Sequence, residues 1–144
     1  MTKPKILAAV DLVHKDSDAA VIHEAILLAK AHDHEVEVVF VIPDQENSYA
    51  QNYIPADMHQ QVVDDAVLDL QAYAAGFDWQ GVVHDSQVLR GVVYEKLIEH
   101  ADTLSAGFVV IGASKPSVTD LLIGPNAARV ARYAGCSVMV VRPR

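Results

Sequence analysis

Phe108 to Arg144 reads FVVIGASKPSVTDLLIGPNAARVARYAGCSVMVVRPR, and the fold can be worked out from this stretch. Phe108 to Ile111 is a short apolar run rich in β-branched residues, which suits a parallel strand covered on both faces better than a half-exposed one. Gly112 stops it. From Leu121 the chain turns helical. Gly124 is an acceptable N-cap, and Pro125 fits the first helical position, where its fixed φ is right and its missing N–H would be unpaired anyway. Ala127, Ala128, Val130, Ala131 and Ala134 supply a small apolar face. Gly135 is placed to stop the helix, and Cys136 to Val141 reads as a second buried strand. The whole is one strand–helix–strand unit, whose crossover is right-handed by near-universal rule. Gly112 then stands at the carboxyl end of a strand and Gly124 at the start of the crossover helix. Open α/β sheets bind ligands there, and helix N-termini attract phosphate. Either glycine alone also serves a strand exit or a helix start; their coming as a set points to a ligand.

Upstream the plan repeats. Lys5 to Val10 (KILAAV) is a strand with Asp11 at its carboxyl end. Asp16 to Asp18 offer N-caps for a helix to about His32, in which Ile22, Ala25, Ile26 and Ala29 recur at three and four. Glu35 to Ile42 begins in alternation and ends as an apolar run stopped by Pro43. Pro43 to Asp57 lacks periodicity and reads as a long loop on the carboxyl edge, either a cover for a ligand or variable surface. Met58 to Gly76 is a helix with Val62, Ala66, Leu70 and Tyr73 along one stripe, broadened by Val63, Val67, Leu68 and Ala74; Asp64, Asp65 and Asp69 form its solvated face. Gly81 to Leu89 is a more polar strand near one edge, and Gly91 opens a short helix with Val92, Val93, Leu97 and Ile98 inside. The order is β-α-β-α-β-α-β-α-β in one domain, residues 1–144. It predicts an α/β fold: a doubly wound five-stranded parallel sheet of order 3-2-1-4-5, with helices on both faces and a ligand crevice between strands 1 and 4. That order juxtaposes Asp11 with Gly112 to Asn126.

Composition narrows the classes. At 144 residues, 51% of them hydrophobic, the chain can build a full core, which excludes disorder. No segment is apolar for the ~20 residues a bilayer span needs, and the N-terminal apolar run is too short for a signal peptide, so a cytoplasmic protein is expected. The single cysteine, Cys136, agrees with a reducing compartment. A formal charge of −8, from 19 acidic and 11 basic side chains, argues against nucleic acid. A small anion remains acceptable where local donors outweigh the global field, and Lys115 is the nearest cation to Gly112.

Several chemistries are missing. The chain has no G-x-x-x-x-G-K-[ST], no G-x-G-x-x-G after the first strand and no G-x-S-x-G. Ser114 has no histidine placed by sequence to activate it. The seven histidines are scattered, and the closest pair, His32 and His34, reads as a helix end or water-facing pair before a metal site. A phospho-accepting receiver domain needs an aspartate ending the third strand, where Gln87-Val88-Leu89-Arg90 stands.

The residues AAVD at the first strand end, Gly112, PSVTDLLIG, Asn126-Ala127-Ala128 and the closing CSVMVVRP together resemble the universal stress protein family, over the whole chain. The C-terminal block is similar to the F/G-type subclass. The resemblance implies a Rossmann-like, adenine nucleotide alpha hydrolase-like fold and ATP, with magnesium on its phosphates, in the crevice. By position, Asp11 would meet the adenosine end and the backbone around Val41 would line the adenine. Gly112, Ala113, Ser114 and Lys115 with Gly124, Pro125 and Asn126 would cradle ribose and phosphates. It also implies a stress-related regulator and a homodimer through Val138 to Val141, acting on an unidentified protein partner. Two positions depart from the nucleotide-binding pattern. Lys115 stands for a glycine, and Pro125 stands for the usual serine or threonine. Pro125 removes a hydroxyl and an N–H from the cradle, a loss of about 1–3 kcal/mol, roughly ten- to a hundredfold in affinity. Asn126 offers a side-chain amide in their place. Three readings follow: a nucleotide-binding regulator, a nucleotide-free dimeric interaction module with a degenerate loop, and an enzyme of adenylate chemistry. No positioned general base or metal-ligand cluster supports the third, beyond slow hydrolysis or self-phosphorylation on Ser114, Ser117 or Thr119.

Overall fold

The computed structural model describes residues 3–43, 56–113 and 123–142. Five parallel strands, β1 (Lys5–Ala9), β2 (Glu35–Pro43), β3 (His84–Gly91), β4 (Phe108–Gly112) and β5 (Ser137–Val141), form one sheet of order β3-β2-β1-β4-β5. This is the doubly wound order expected. Four α-helices connect them among the described residues: α1 (Lys15–His32), α2 (Ala56–Ala75), α3 (Val93–Leu104) and α4 (Pro125–Tyr133). The first is preceded by a 3₁₀ turn at Leu12–His14.

The period of two along each strand divides the core into two layers. Ile6, Ala8, Val36 and Val38 face α1 and α2, where Ile22, Ile26 and Leu70 close over them. Leu7, Ala9, Val39 and Val41 face α3 and α4, covered by Leu97, Ala101, Ala127 and Val130. β1 pairs with β2 and β4, with Leu7 opposite Glu37 on one side and Val109 on the other. Its apolar residues are therefore enclosed on every side, and Ile6, Leu7 and Ala8 have no solvent exposure.

Several details differ from the sequence expectation. The α2 stripe runs through Ala66, Leu70 and Ala74, with Val63, Val67 and Tyr73 half-buried, whereas Val62 and Leu68 are 53% and 65% exposed. The buried face keeps Ala66, Leu70 and Tyr73 of the stripe read from sequence and turns toward Ala74, away from Val62 and Leu68. β3 starts at His84, after a turn in which Gln80 and Gly81 have positive φ, and Gly91 ends that strand, leaving Val92 as the N-cap of α3. β5 is an edge strand, so Val138 to Val141 are half-buried. In α4 only Ala127 and Val130 are buried, and Ala128 and Ala131 face solvent. That helix ends on Ala134 in an extended conformation, and Gly135 has no positive φ. The loop reading of Pro43 to Asp57 fails at its two described ends, since Pro43 closes β2 and the helix already starts at Ala56; the rest of it lies outside the described residues, as do Leu121 and Leu122.

His34 is structural. Its Nδ1 lies 2.8 Å from the His32 carbonyl, and its ring packs against Phe108 and over Gly107, where a Cβ would come within 2.6 Å of Nε2. Only glycine leaves room for that ring. Trp79 fixes the α2–β3 corner, with its indole N–H donating to the Ala74 carbonyl at 2.8 Å and its ring stacked on His84.

Candidate functional site

The strand order reverses direction between β1 and β4, and the carboxyl ends of these strands are where a doubly wound sheet opens a crevice. A cleft of about 540 Å³ lies there. Its floor is apolar, made by Ala9, Val39, Val41 and Ile111 of the sheet, and Val93, Leu97 and Ala127 of α3 and α4 form its wall. The polar groups sit at the rim: Asp11 and Asp18 on one side, Gly112, Ala113 and Gly124 to Asn126 on the other. Of the residues singled out by sequence, Asp11, Val41, Gly112, Ala113, Gly124, Pro125 and Asn126 come together in this cleft. Ser114 and Lys115 lie outside the described residues, as do Ser117 and Thr119.

Local chemistry explains the rim. Asp11 follows β1 and its carboxylate accepts the Val13 N–H at 3.0 Å, the turn an aspartate makes with the backbone two residues on. Its own N–H donates to the Asp18 carboxylate at 2.5 Å. Asp18, in the first turns of α1, also fits the positive end of that helix. Its Oδ1 is 3.1 Å from where a Cβ on Gly112 would stand, so Gly112 allows the Asp18 side chain to approach β4. The sequence reading used Asp18 only as a helix cap, and no period or motif marked it as a rim residue.

The donors of the supposed cradle can be followed one by one. The Ala113 N–H donates to Val141 at 2.8 Å, and the Gly124 N–H donates to Ala113 at 2.5 Å. Pro125 has none. The Ala128 N–H returns to the Gly124 carbonyl at 3.0 Å, closing the first turn. Asn126 and Ala127 remain, the two first-turn residues with no intrahelical carbonyl behind them. Gly124 has φ −59° and ψ 155°, a conformation open to any residue, so its backbone angles do not require glycine.

The lower end of the α3 face carries charge. Glu37 of β2 is 6% exposed; His100 Nε2 meets its Oε1, and Lys5 Nζ lies 3.5 Å from Oε2. Lys5 also donates to Asp85 at 3.1 Å, and this hydrogen bond, against some desolvation, holds the ammonium above the usual lysine range. The sequence shows Glu37 only as the polar beat of an alternating strand, with nothing to mark it as buried. At the far end of β4 and β5, burial pushes the Cys136 thiol up and the Asp102 charge adds to it. Among the described residues no group of three or more His, Cys, Asp or Glu side chains is arranged to hold a metal ion, and no helix is long and apolar enough to cross a membrane.

The sequence profile described as the universal stress protein family matches residues 3–142. Universal stress protein G of Salmonella typhimurium is 30% identical over 141 residues, covering 95% of this chain and 97% of its own. A universal stress protein solved in complex with cAMP superposes with a TM-score of 0.60 at 19% identity, covering 100% of both chains. The universal stress protein from Archaeoglobus fulgidus in complex with dAMP superposes with a TM-score of 0.56 at 18% identity, covering 99% of this chain and 98% of its own. With the sheet order, the two-layered core and a profile match spanning nearly every residue, the chain belongs to the universal stress protein family.

Proposed function

We propose that this chain is a regulator that binds ATP or a related adenine nucleotide in the cleft between β1 and β4 and acts through a homodimer and its partners. The observation that carries the reading is the cleft's division into an apolar floor and a polar rim. Val39, Val41, Val93 and Leu97 suit a flat base, and the rim at Asp11 suits a ribose. The first-turn N–H groups of Asn126 and Ala127 suit a phosphate. Two relatives of the same fold are solved with adenine nucleotides, which supports the ligand class. Magnesium would arrive on the phosphates. It would screen them from Asp11 and Asp18, the negative groups of the rim. In the dimer, β5 offers its open edge: the Val141 carbonyl accepts from Ala113, so the alternate residues Val138 and Val140 turn their backbone groups outward.

The test is calorimetric titration of the nucleotide-stripped protein with magnesium ATP and, separately, with cAMP. Saturable binding at micromolar concentration is expected for at least one of them. No heat from either into the millimolar range would overturn the reading.

One observation favours the second reading, a nucleotide-free interaction module. The Ala113 and Gly124 N–H groups are committed to backbone carbonyls, Pro125 supplies none, and Asp18 places a carboxylate at the rim. In that case the exposed edge of β5 carries the function and the cleft is a structural remnant.

A further inference from the structure

Glu37 is the buried charged residue of the described core, and the two elements its pair with His100 joins, β2 and α3, both contribute to the apolar side of the cleft. On β2, Glu37, Val39 and Val41 follow one another on the same face. On α3, His100, Leu97 and Val93 lie one turn apart along the side that meets them. The ion pair of Glu37 with His100 closes the lower end of this contact, and the cleft opens at its upper end, about 7–13 Å along the strand. The pair therefore ties β2 to α3 below the point where Val41 and Val93 line the ligand space.

We propose that the Glu37–His100 pair is a proton-linked clamp on the cleft, tightening it when His100 is protonated and loosening it when His100 is neutral. The inference rests on the adenine nucleotide reading of the cleft and adds its regulation. With a protonated ring, two opposite charges meet where water has little access. With a neutral ring, one hydrogen bond from Nε2 remains and Lys5 alone balances Glu37. The charged and titratable surroundings are few. Lys5 of β1 bridges Glu37 and Asp85 of β3. Arg90 of β3 and Lys96, Glu99 and Thr103 of α3 line a hollow beside His100, in which Lys96 and Glu99 pair at 3.5 Å. Arg129 and Arg132 of α4 make no ion pair with Glu37. His59 of α2, whose Nδ1 accepts from Arg90 at 3.1 Å, is a second imidazole beside this hollow, and the variants at His100 and Glu37 separate its effect from that of the pair. Because coupling is reciprocal, bound nucleotide should also favour proton uptake.

The experiment uses cAMP as the probe, since its phosphodiester keeps a single charge where the terminal phosphate of ATP titrates. His100→Gln keeps a hydrogen-bond donor towards Glu37 and removes the titration; Glu37→Gln is the second variant. Affinity for cAMP is measured at about pH 6 and about pH 8, together with the urea midpoint of the ligand-free protein. For the wild type, binding should weaken about fivefold at the higher pH and the midpoint should fall, whereas both should stay nearly level in His100→Gln and Glu37→Gln. Equal pH dependence of binding in wild type and variants would overturn the clamp while leaving the nucleotide reading intact. Absence of cAMP binding at either pH in every protein would overturn the nucleotide reading and the coupling with it.

Discussion

The backbone N–H of Asp11 donates to the Asp18 carboxylate at 2.5 Å, and the other oxygen of that carboxylate stands 3.1 Å from the Cβ position of Gly112. One side chain therefore holds the end of β1 in place and limits what β4 can carry beside it. Asp18→Ala should cost about 1–3 kcal/mol, because the Asp11 N–H is left half-buried without its acceptor. Asp18→Asn keeps an acceptor and should lose less. Urea denaturation of the two variants measures the difference; equal losses would mean that the carboxylate matters for its charge and not for this bond.

Pro125→Ser returns an N–H and a hydroxyl to the first turn of α4, next to Asn126. Nucleotide affinity should rise about tenfold, the equivalent of one good hydrogen bond to a charged group. Stability should change little, since serine is a good residue near a helix start. Calorimetric titration of the variant against the wild type decides it, and an unchanged affinity would mean that the donors missing at Pro125 do not limit binding.

Val140 turns its backbone N–H to the open side of β5 while its neighbours Met139 and Val141 bond to β4. Val140→Pro removes that outward donor and leaves the inner ladder whole. With β5 pairing as proposed, the wild type should sediment as a dimer and the variant as a monomer, with far-UV circular dichroism preserved. A dimer of undiminished strength would exclude pairing through this edge.

Cys136 is half-buried, and burial followed by the Asp102 charge raises its thiol above the ordinary cysteine range. Less thiolate is then present at a given pH, and the thiolate is the reactive form. Alkylation by iodoacetamide in mildly alkaline buffer should be slower than for a free thiol and should keep accelerating as pH climbs past the usual cysteine titration. Asp102→Asn should speed it by a smaller factor than unfolding in urea does, because burial is the larger cause.

The order of elements was legible because each element carries its own period. KILAAV and FVVIG are apolar without alternation, as strands enclosed on both faces must be, and α1 repeats Ile22, Ala25, Ile26 and Ala29 at helical spacing. The rim residues Asp11, Gly112 and Asn126 were legible as a set because the strand order brings both carboxyl ends to one crevice. Burial was less legible. SVMVV looks as apolar as FVVIG, yet β5 has a neighbour on one side only; a run of valines does not record how many strands flank it. In α2 the apolar residues outnumber the buried positions, so Val62 and Leu68 fit a stripe on paper and face solvent in the fold. Glu37 and Asp18 were the least visible. Their roles come from His100, Lys5, Asp11 and Gly112, partners far along the chain or across a turn, and no local pattern records such pairings.

The Gly124 N–H bonded to the Ala113 carbonyl, and the Ala113 N–H bonded to Val141, pin both ends of the chain segment numbered 114–122 to the sheet. Once the two ends are fixed, closing a longer or shorter connection costs little, about 0.6 kcal/mol for each doubling of length. Evolution can therefore change the length of chain between Ala113 and Gly124 without refolding the scaffold that carries them. The same property makes the junction between Ala113 and Gly124 a natural position for inserting foreign sequence.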